Sequence, residues 1–183
     1  MILEETLKKA VRLFPEKEAV VCGGKRWTYG RFYDRVHRLS LFLKTIGIGK
    51  SDKVALLHPN CHCFLESYYA VAKIGAVSVP INYRLSPQEI HFILCDSDAK
   101  VLIADPIFLP QIESIRGGMQ GVKKILWTGE GAPGDSRDAS YEAALSGAGG
   151  PEVHEEITDE DIAQIYYTSG TTGRPKGCPQ THR

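Results

Sequence analysis

The sequence predicts an α/β protein with a largely parallel sheet covered by helices. Short apolar segments alternate with longer segments whose apolar residues recur every three or four positions, as they do in amphipathic helices. Glycine, proline or serine separates most of these segments. A loop rich in glycine and hydroxyl groups follows the last long apolar segment, and ligand-binding loops occupy that position in open parallel sheets.

The first elements are a helix, a hairpin and a second helix. Residues 3–14 carry an apolar stripe that predicts an amphipathic helix, and residues 23–24, Gly-Gly, predict the turn of a β-hairpin. Thr28 is the expected N-cap of a helix over about 29–46, and Gly47 lies where that helix should end.

Strands and helices then alternate, which implies parallel strands joined by right-handed crossovers. The predicted elements are a strand over 53–57, a helix over about 61–74, a strand over 76–81, a helix from residue 86, a strand over 101–104, a helix over about 106–116 and a strand over 124–128. Ser86, Pro87 and Glu89 predict a capping box with proline at the first helical position.

Residues 129–161 differ from the rest of the chain in composition. Gly, Ala, Pro and Ser are common up to residue 151, with one short predicted helix near 141–145. Six acidic residues and no lysine or arginine lie between Glu152 and Asp161, and such a run usually forms a solvated segment. We therefore expect a solvated connector, followed by a β-prone strand over 161–167.

Composition limits the class of protein. The 22 Lys and Arg residues balance the 22 Asp and Glu residues, so the chain lacks the positive excess of a dedicated nucleic-acid binder. No apolar run approaches the roughly 20 residues of a transmembrane helix. The acidic start of the chain does not resemble a signal peptide. We expect a cytoplasmic protein that binds no nucleic acid and has no transmembrane segment.

The five cysteines lie at irregular spacing and indicate no disulfide framework. Residues 58–63, His-Pro-Asn-Cys-His-Cys, hold four potential metal ligands, but zinc sites usually pair two such clusters and no second cluster follows in the sequence. The simpler interpretation is that Asn60 caps a helix and that Cys61 and Cys63 are small residues of its first turn. No metal-binding residues are predicted.

The candidate functional site is the loop that follows the strand over 161–167. The residues expected to bind phosphate are Thr168, Ser169, Gly170, Thr171, Thr172, Gly173 and Lys176. Glycines allow backbone N–H groups to point inwards as an anion nest, and lysine adds a mobile positive charge. The loop is not a Walker P-loop, because Gly177 stands where that motif has Ser or Thr. A ligand-free turn is the alternative, which the Pro-Lys-Gly continuation disfavours.

These residues resemble the signature of the AMP-forming adenylate synthetases, the superfamily of acyl-CoA synthetases, luciferases and peptide-synthetase adenylation domains. The similarity extends along nearly the whole chain, at 27–29, 73–77, 79–82, 167–173, 175–177 and 181–182. Residues 82–87 are more similar to acyl-CoA, fatty-acid–CoA and aryl-CoA ligases than to peptide-synthetase domains. One departure is Cys178-Pro179-Gln180, where relatives have an aliphatic strand; Pro179 suits a sheet edge or a break better than a central strand.

The resemblance implies an ATP-dependent acid–CoA ligase. Such enzymes join a carboxylic acid (fatty, aryl or other) and ATP into an acyl-adenylate and pyrophosphate, and then transfer the acyl group to CoA. It implies ATP, Mg²⁺ and CoA as substrates or cofactors, with catalytic residues beyond residue 183. Residues 1–183 would then be an incomplete amino-terminal AMP-binding domain, inactive alone, and 129–161 a variable connector within it.

Two other functions stay open at this point. The chain could be a non-catalytic module that binds phosphate or a nucleotide and is complete in 183 residues. It could also have a structural role, for example as a homodimer that forms along an exposed sheet edge.

Overall fold

The computed structural model describes residues 2–129, 134–168 and 174–183. The strands are β1 (Glu18–Cys22), β2 (Lys25–Thr28), β3 (Lys53–Leu57), β4 (Val77–Pro80), β5 (Ala99–Ala104), β6 (Lys124–Trp127), β7 (Asp138–Ser140), β8 (Ile162–Thr168) and β9 (Lys176–Thr181). The helices are α1 (Leu3–Leu13), α2 (Tyr29–Thr45), α3 (His62–Lys73), α4 (Pro87–Asp96), α5 (Leu109–Ile115) and α6 (Tyr141–Gly147).

A mostly parallel sheet forms the centre of the molecule. In the described part of the chain, seven strands pair in the order β7-β6-β5-β3-β4-β8-β9. Every neighbouring pair is parallel except β8 and β9, which are antiparallel. β1 and β2 form a separate antiparallel hairpin. The predicted α/β class with a largely parallel sheet is confirmed.

Each face of the sheet has its own apolar core. Along β3, Val54 and Leu56 pack with apolar residues of α1, α2, α3 and α6, whereas Ala55 and Leu57 pack with residues of α4 and α5. Fully burying a valine or leucine side chain stabilises a fold by about 1.5–3 kcal/mol. Because helices cover both faces, β3 is apolar at four consecutive positions, 54–57, rather than at alternate positions.

The predicted N-caps of α2 and α4 are confirmed. The backbone N–H of Arg31 donates to Thr28 Oγ1 (3.3 Å) at the start of α2. At the start of α4, the Glu89 N–H donates to Ser86 Oγ (3.4 Å), and the Ser86 N–H donates back to the Glu89 carboxylate (2.8 Å). Gly47 follows α2 with φ +81°, a backbone conformation that favours glycine.

One predicted cap and one predicted helix start are wrong. Cys61, not Asn60, caps α3, because Cys61 has extended backbone angles and its Sγ accepts the Phe64 N–H at 3.4 Å. The helix predicted over 106–116 is instead a 3₁₀ turn at Pro106–Phe108 followed by α5. Pro110 lies in the first turn of α5, where its missing N–H is tolerated, so the α-helical ladder begins there.

Two oppositely charged residues of α3 are completely buried. Glu66 is 0% exposed and accepts hydrogen bonds from Arg35 Nε (2.7 Å) and from the Tyr141 hydroxyl (2.8 Å). Arg35 also pairs with Glu142 of α6 (2.7 Å). Lys73 is likewise 0% exposed. Its partners are the carboxylate of Glu4 (2.6 Å), the hydroxyl of Tyr33 (2.9 Å) and the carboxylate of Glu152 (3.0 Å).

The acidic segment is bound to the surface of the domain by ion pairs. Glu152 contacts Lys73, Glu155 pairs with Lys44 (2.8 Å), and Asp161 pairs with Lys50 (2.8 Å). These three acids thus pair with basic residues from distant parts of the chain while the segment stays at the surface, where Glu152 is itself 40% exposed. The assignment of 129–161 as a variable connector stays a prediction.

β9 lies at the edge of the sheet, and all six of its residues are exposed. Pro179 is part of this strand, opposite Ile165 of β8, which agrees with the expectation that it suits an edge. A homodimer that pairs along such an edge stays a prediction. Among the described residues, no helix is both long enough and apolar enough to span a bilayer.

We expect Glu66→Ala to lower the free energy of unfolding by about 3–5 kcal/mol, because it removes a buried carboxylate that pairs with Arg35 and leaves the buried Tyr141 hydroxyl without its acceptor. Glu142→Ala is the matched control, since its carboxylate binds the same arginine but is 47% exposed; it should cost at most about 1 kcal/mol. Urea unfolding measures both. Equal losses would contradict the central role of Glu66.

The stability of the fold should also depend on Glu152 at acidic pH. Hydrogen bonds from the Tyr33 hydroxyl and from Lys73 lower the pKa of Glu152 to about 2. A lowered folded-state pKa stabilises the fold above the ordinary value and loses this effect as the pH falls through the folded value. Between about pH 5 and pH 2, Glu152→Gln should therefore lose less stability than the wild type, as followed by thermal unfolding. The exposed Glu16→Gln is the control and should follow the wild-type curve.

Candidate functional site

The carboxyl end of β8 carries the base of the candidate loop. Thr168 is the last residue of β8 and Lys176 is the first residue of β9, and the two lie opposite each other in the antiparallel ladder. Both residues are exposed. The structure therefore brings these two predicted site residues together where the antiparallel pairing of β8 and β9 ends.

The other predicted phosphate-binding residues are not part of this geometry. Ser169, Gly170, Thr171, Thr172 and Gly173 lie outside the described residues. Their role in binding phosphate, like that of Thr168 and Lys176, stays a prediction.

The loop base lies at the carboxyl ends of the parallel strands, where ligands bind in this class of fold. β8 is parallel to β4, with Ser78 opposite Gln164, and the Ser78 hydroxyl donates to the Ala163 carbonyl (3.2 Å). β3, β4, β5, β6 and β8 all run in the same direction, so their carboxyl ends share one edge. Open parallel sheets bind ligands outside the carboxyl ends of their strands.

Tyr167 connects the loop base to the neighbouring helix layer. Its hydroxyl donates to Asp96 Oδ2 (2.6 Å) at the last residue of α4. Burial, followed by this hydrogen bond and by the charge of Asp96, raises the pKa of Tyr167, so the phenol stays protonated as a donor. Sequence reasoning did not find this pair, because nothing near Asp96 in the chain indicates a partner on β8.

Gly177 is required where it lies, beside Lys176. A Cβ atom at this position would lie 3.0 Å from Ile165 Cγ2, 3.2 Å from Tyr167 Cζ and 3.3 Å from the Tyr167 hydroxyl. These distances are shorter than ordinary van der Waals contacts. The glycine therefore allows the Tyr167 side chain to lie across β9 while its hydroxyl reaches Asp96.

A second polar cluster also lies at the carboxyl ends of the strands, after β3. His58 Nε2 is 2.5 Å from Thr128 Oγ1 and 3.4 Å from Asp105 Oδ2, and His58 Nδ1 is 3.2 Å from Cys61 Sγ. The neighbouring Cys63 thiol and the contact with His58 lower the pKa of the Cys61 thiol. Burial disfavours the charged imidazole, but its contacts with Cys61 and with a backbone carbonyl outweigh burial and raise the pKa of His58.

The cluster contains three atoms that could bind a metal ion, one each from Cys61, His62 and Cys63, all within 4.8 Å of one another. Structural zinc sites use four ligands, and both nitrogens of His58 already have other partners. His62 Nε2 also lies 3.4 Å from the Lys25 ammonium, which opposes a cation there. The geometry thus favours thiol chemistry over metal binding, and the prediction of no metal site stays a prediction.

The chain belongs to the AMP-binding enzyme family, whose defining sequence pattern matches residues 7–183. This agrees with the resemblance noted from the signature residues. The family assignment also agrees with the fold, in which the signature residues flank a loop at the carboxyl edge of a parallel sheet.

Named relatives are CoA ligases. The chain is 39% identical to a long-chain-fatty-acid–CoA ligase of Thermus thermophilus, over 99% of this chain and 33% of the relative. It is 34% identical to 4-hydroxybutyrate–CoA ligase 2 of Metallosphaera sedula, over 97% of this chain and 33% of that protein. The chain therefore spans about a third of the length of these curated relatives.

Solved structures of CoA ligases also superpose closely on this chain. The anthranilate CoA ligase AuaEII, in complex with anthranoyl-AMP, superposes with a TM-score of 0.92 at 32% identity, over 98% of this chain and 34% of that one. The inhibitor-bound N-terminal domain of FACL13 from Mycobacterium tuberculosis superposes with a TM-score of 0.86 at 36% identity, over 98% of this chain and 44% of that one.

We expect Gly177→Ala to lower the free energy of unfolding by about 1–3 kcal/mol, because the new methyl group must displace Tyr167 or Ile165. Gly134→Ala is the control, since a Cβ atom there meets nothing within 4 Å, and it should change stability by no more than about 0.5 kcal/mol. Urea unfolding measures both variants. An unchanged Gly177→Ala would show that this contact does not constrain the loop base.

Proposed function

We propose that this chain is the amino-terminal part of an ATP-dependent acid–CoA ligase. The reaction joins a carboxylate and ATP into an acyl-adenylate and pyrophosphate, and CoA then displaces AMP to form a thioester. The observation that carries the proposal is Thr168 paired opposite Lys176 at the carboxyl end of β8, in a chain of the AMP-binding enzyme family.

The loop over 168–176 binds the β- and γ-phosphates of ATP in this proposal. Lys176 begins an exposed edge strand, so its ammonium group can reach an anion held by the loop. Thr168 offers a hydroxyl from the opposite side of the hairpin base. A positive charge beside the departing pyrophosphate would stabilise the negative charge that develops in the adenylation step.

The substrates follow from the same proposal. The relatives are named for long-chain fatty acids, for 4-hydroxybutyrate and for anthranilate, which supports a carboxylic acid as the partner of ATP and CoA. We infer that Mg²⁺ accompanies ATP. The described residues at the loop base offer this ion one hydroxyl, from Thr168, and no carboxylate, so they do not form a Mg²⁺ site by themselves.

The proposal extends to the organisation of the protein. Residues 1–183 form an incomplete amino-terminal AMP-binding domain, 129–161 is a variable connector within it, and the enzyme acts in the cytoplasm. The ribose, adenine, acyl and CoA sites require further chain, because the curated relatives are about three times as long. Residues 1–183 alone are therefore inactive in this proposal.

Substitution of Lys176 tests the proposed role in the protein expressed from its complete reading frame. Lys176→Ala should slow acyl-adenylate formation by roughly 10- to 150-fold, which corresponds to a charge-assisted hydrogen bond of about 1.5–3 kcal/mol. The transfer of the acyl group from preformed adenylate to CoA should change much less, because pyrophosphate is absent from that step. Pyrophosphate release measures the first half-reaction, and thioester formation measures the second.

Lys123→Ala is the matched control. Lys123 is an exposed lysine just before β6, so it lies at the amino ends of the strands, away from the loop base. It should leave both half-reactions unchanged. An equal loss of both half-reactions in Lys176→Ala would indicate a structural lysine. The absence of any ATP-dependent adenylation in the wild type, with every candidate acid class tested, would contradict the proposed function itself.

A further inference from the structure

A cluster of polar side chains, which includes a cysteine, a histidine and an aspartate, lies at the carboxyl ends of three neighbouring strands. His58 follows β3, Asp105 follows β5 and Thr128 follows β6, and Cys61 caps α3. The imidazole of His58 lies between the other groups, with Cys61 Sγ at 3.2 Å on its Nδ1 side and Asp105 at 3.4 Å on its Nε2 side. The proposed ligase chemistry does not use this cluster.

The hydrogen bonds around His58 favour a proton on each ring nitrogen. Nδ1 is 2.8 Å from the Pro59 carbonyl, which can only accept, so Nδ1 must donate. Nε2 is 2.5 Å from Thr128 Oγ1, and that oxygen also lies 3.4 Å from the Ala104 carbonyl, to which its hydroxyl can donate while it accepts from Nε2. The Asp105 carboxylate lies 3.4 Å from Nε2 on the same side. These contacts favour the protonated ring, and those with Cys61 and the Pro59 carbonyl raise the pKa of His58 in spite of its burial.

The surroundings of Cys61 favour the thiolate form. The sulfur accepts the Phe64 N–H at the amino end of α3 and faces the Nδ1–H of the imidazolium. Helix amino ends and adjacent imidazolium groups are the settings in which cysteine becomes a nucleophile. Cys61 is half-buried, so a small reagent can reach it, whereas Cys63 is buried.

The other charged groups around Cys61 and His58 do not oppose the thiolate form of Cys61. Burial, followed by the charge of Lys25, whose ammonium lies 3.4 Å from His62 Nε2, lowers the pKa of His62 and favours its neutral form. Glu66 is compensated by Arg35. The His58 ring, with Nδ1 3.2 Å from the Cys61 sulfur, can therefore stabilise a thiolate there.

We propose that Cys61 is a peroxide-reactive thiolate and that Cys63 is its resolving thiol. The reactive sulfur atoms of the two residues lie within 4.8 Å of each other. The substrate class is a small hydroperoxide, with hydrogen peroxide as the simplest member. The product is a disulfide between residue 61 and residue 63, at the start of α3.

The chemistry balances without a further reactant. The Cys61 thiolate attacks one peroxide oxygen, an S–O bond forms as the O–O bond breaks, and the departing hydroxide takes the Nδ1 proton of His58 to become water. The Cys63 sulfur then attacks the Cys61 sulfur. An S–S bond forms, the S–O bond breaks, and a second water leaves with the Cys63 proton. Two electrons pass from the thiols to the peroxide.

Mass spectrometry of the peroxide-treated protein tests the proposal. In the wild type, hydrogen peroxide should produce the 61–63 disulfide before any other cysteine is oxidised. In Cys63→Ser, the sulfenic acid at Cys61 should accumulate and be trapped by dimedone. Cys95, which is exposed in the same molecule, is the internal control and should react later. Oxidation of Cys95 before Cys61, or no dimedone adduct in Cys63→Ser, would overturn the proposal.

The pH dependence of alkylation tests the role of His58 separately. In the native protein, the iodoacetamide rate at Cys61 should stay nearly constant from pH 8 to pH 6. In the same protein unfolded in urea, it should fall about tenfold per pH unit, as for an ordinary thiol. Asp105→Asn should make the native rate pH-dependent within this range, and it removes a partly exposed group rather than the buried ring. A native rate that falls as steeply as the unfolded one would show that Cys61 is an ordinary thiol.

Discussion

The buried charges of α3 are the constraint on which the arrangement of the helices depends. Glu66 and Lys73 are seven residues apart, about two helical turns, so they lie on nearly the same face. Neither is exposed to solvent, and an unpaired buried charge would cost several kcal/mol. Each must therefore meet partners from other elements. α1, α2, α6 and the start of the acidic segment supply those partners, which places these elements over one face of the sheet.

The parallel sheet has a different consequence: it brings chemically active groups together at the carboxyl ends of its strands. The carboxyl ends of β3, β5 and β6 carry His58, Asp105 and Thr128, and that of β8 carries the base of the signature loop. Helix α3 begins at this edge, so the dipole at its amino end acts on Cys61. The same strand direction positions both the base of the proposed nucleotide site and the thiol cluster.

The signature loop could be located from the sequence, whereas its support could not. Glycine, hydroxyl and lysine residues in one short segment indicate phosphate chemistry without any tertiary information. The hydrogen bond between Tyr167 and Asp96 joins residues 71 positions apart. The need for glycine at position 177 follows only from the path of the Tyr167 side chain. Both features hold the loop base in place, and neither has a local sequence signal.

The sequence by itself determined the features that depend on neighbouring residues. Apolar periodicity predicted the α/β class, and the caps at Thr28 and Ser86 could be predicted because each joins residues three positions apart. Tertiary structure alone decided the contacts across the chain. His58 meets Thr128 over 70 positions, and Lys73 meets Glu152 over 79. Such contacts depend on strand order and helix placement, which hydrophobic periodicity does not encode, because it reports which face of an element is buried and not what covers it.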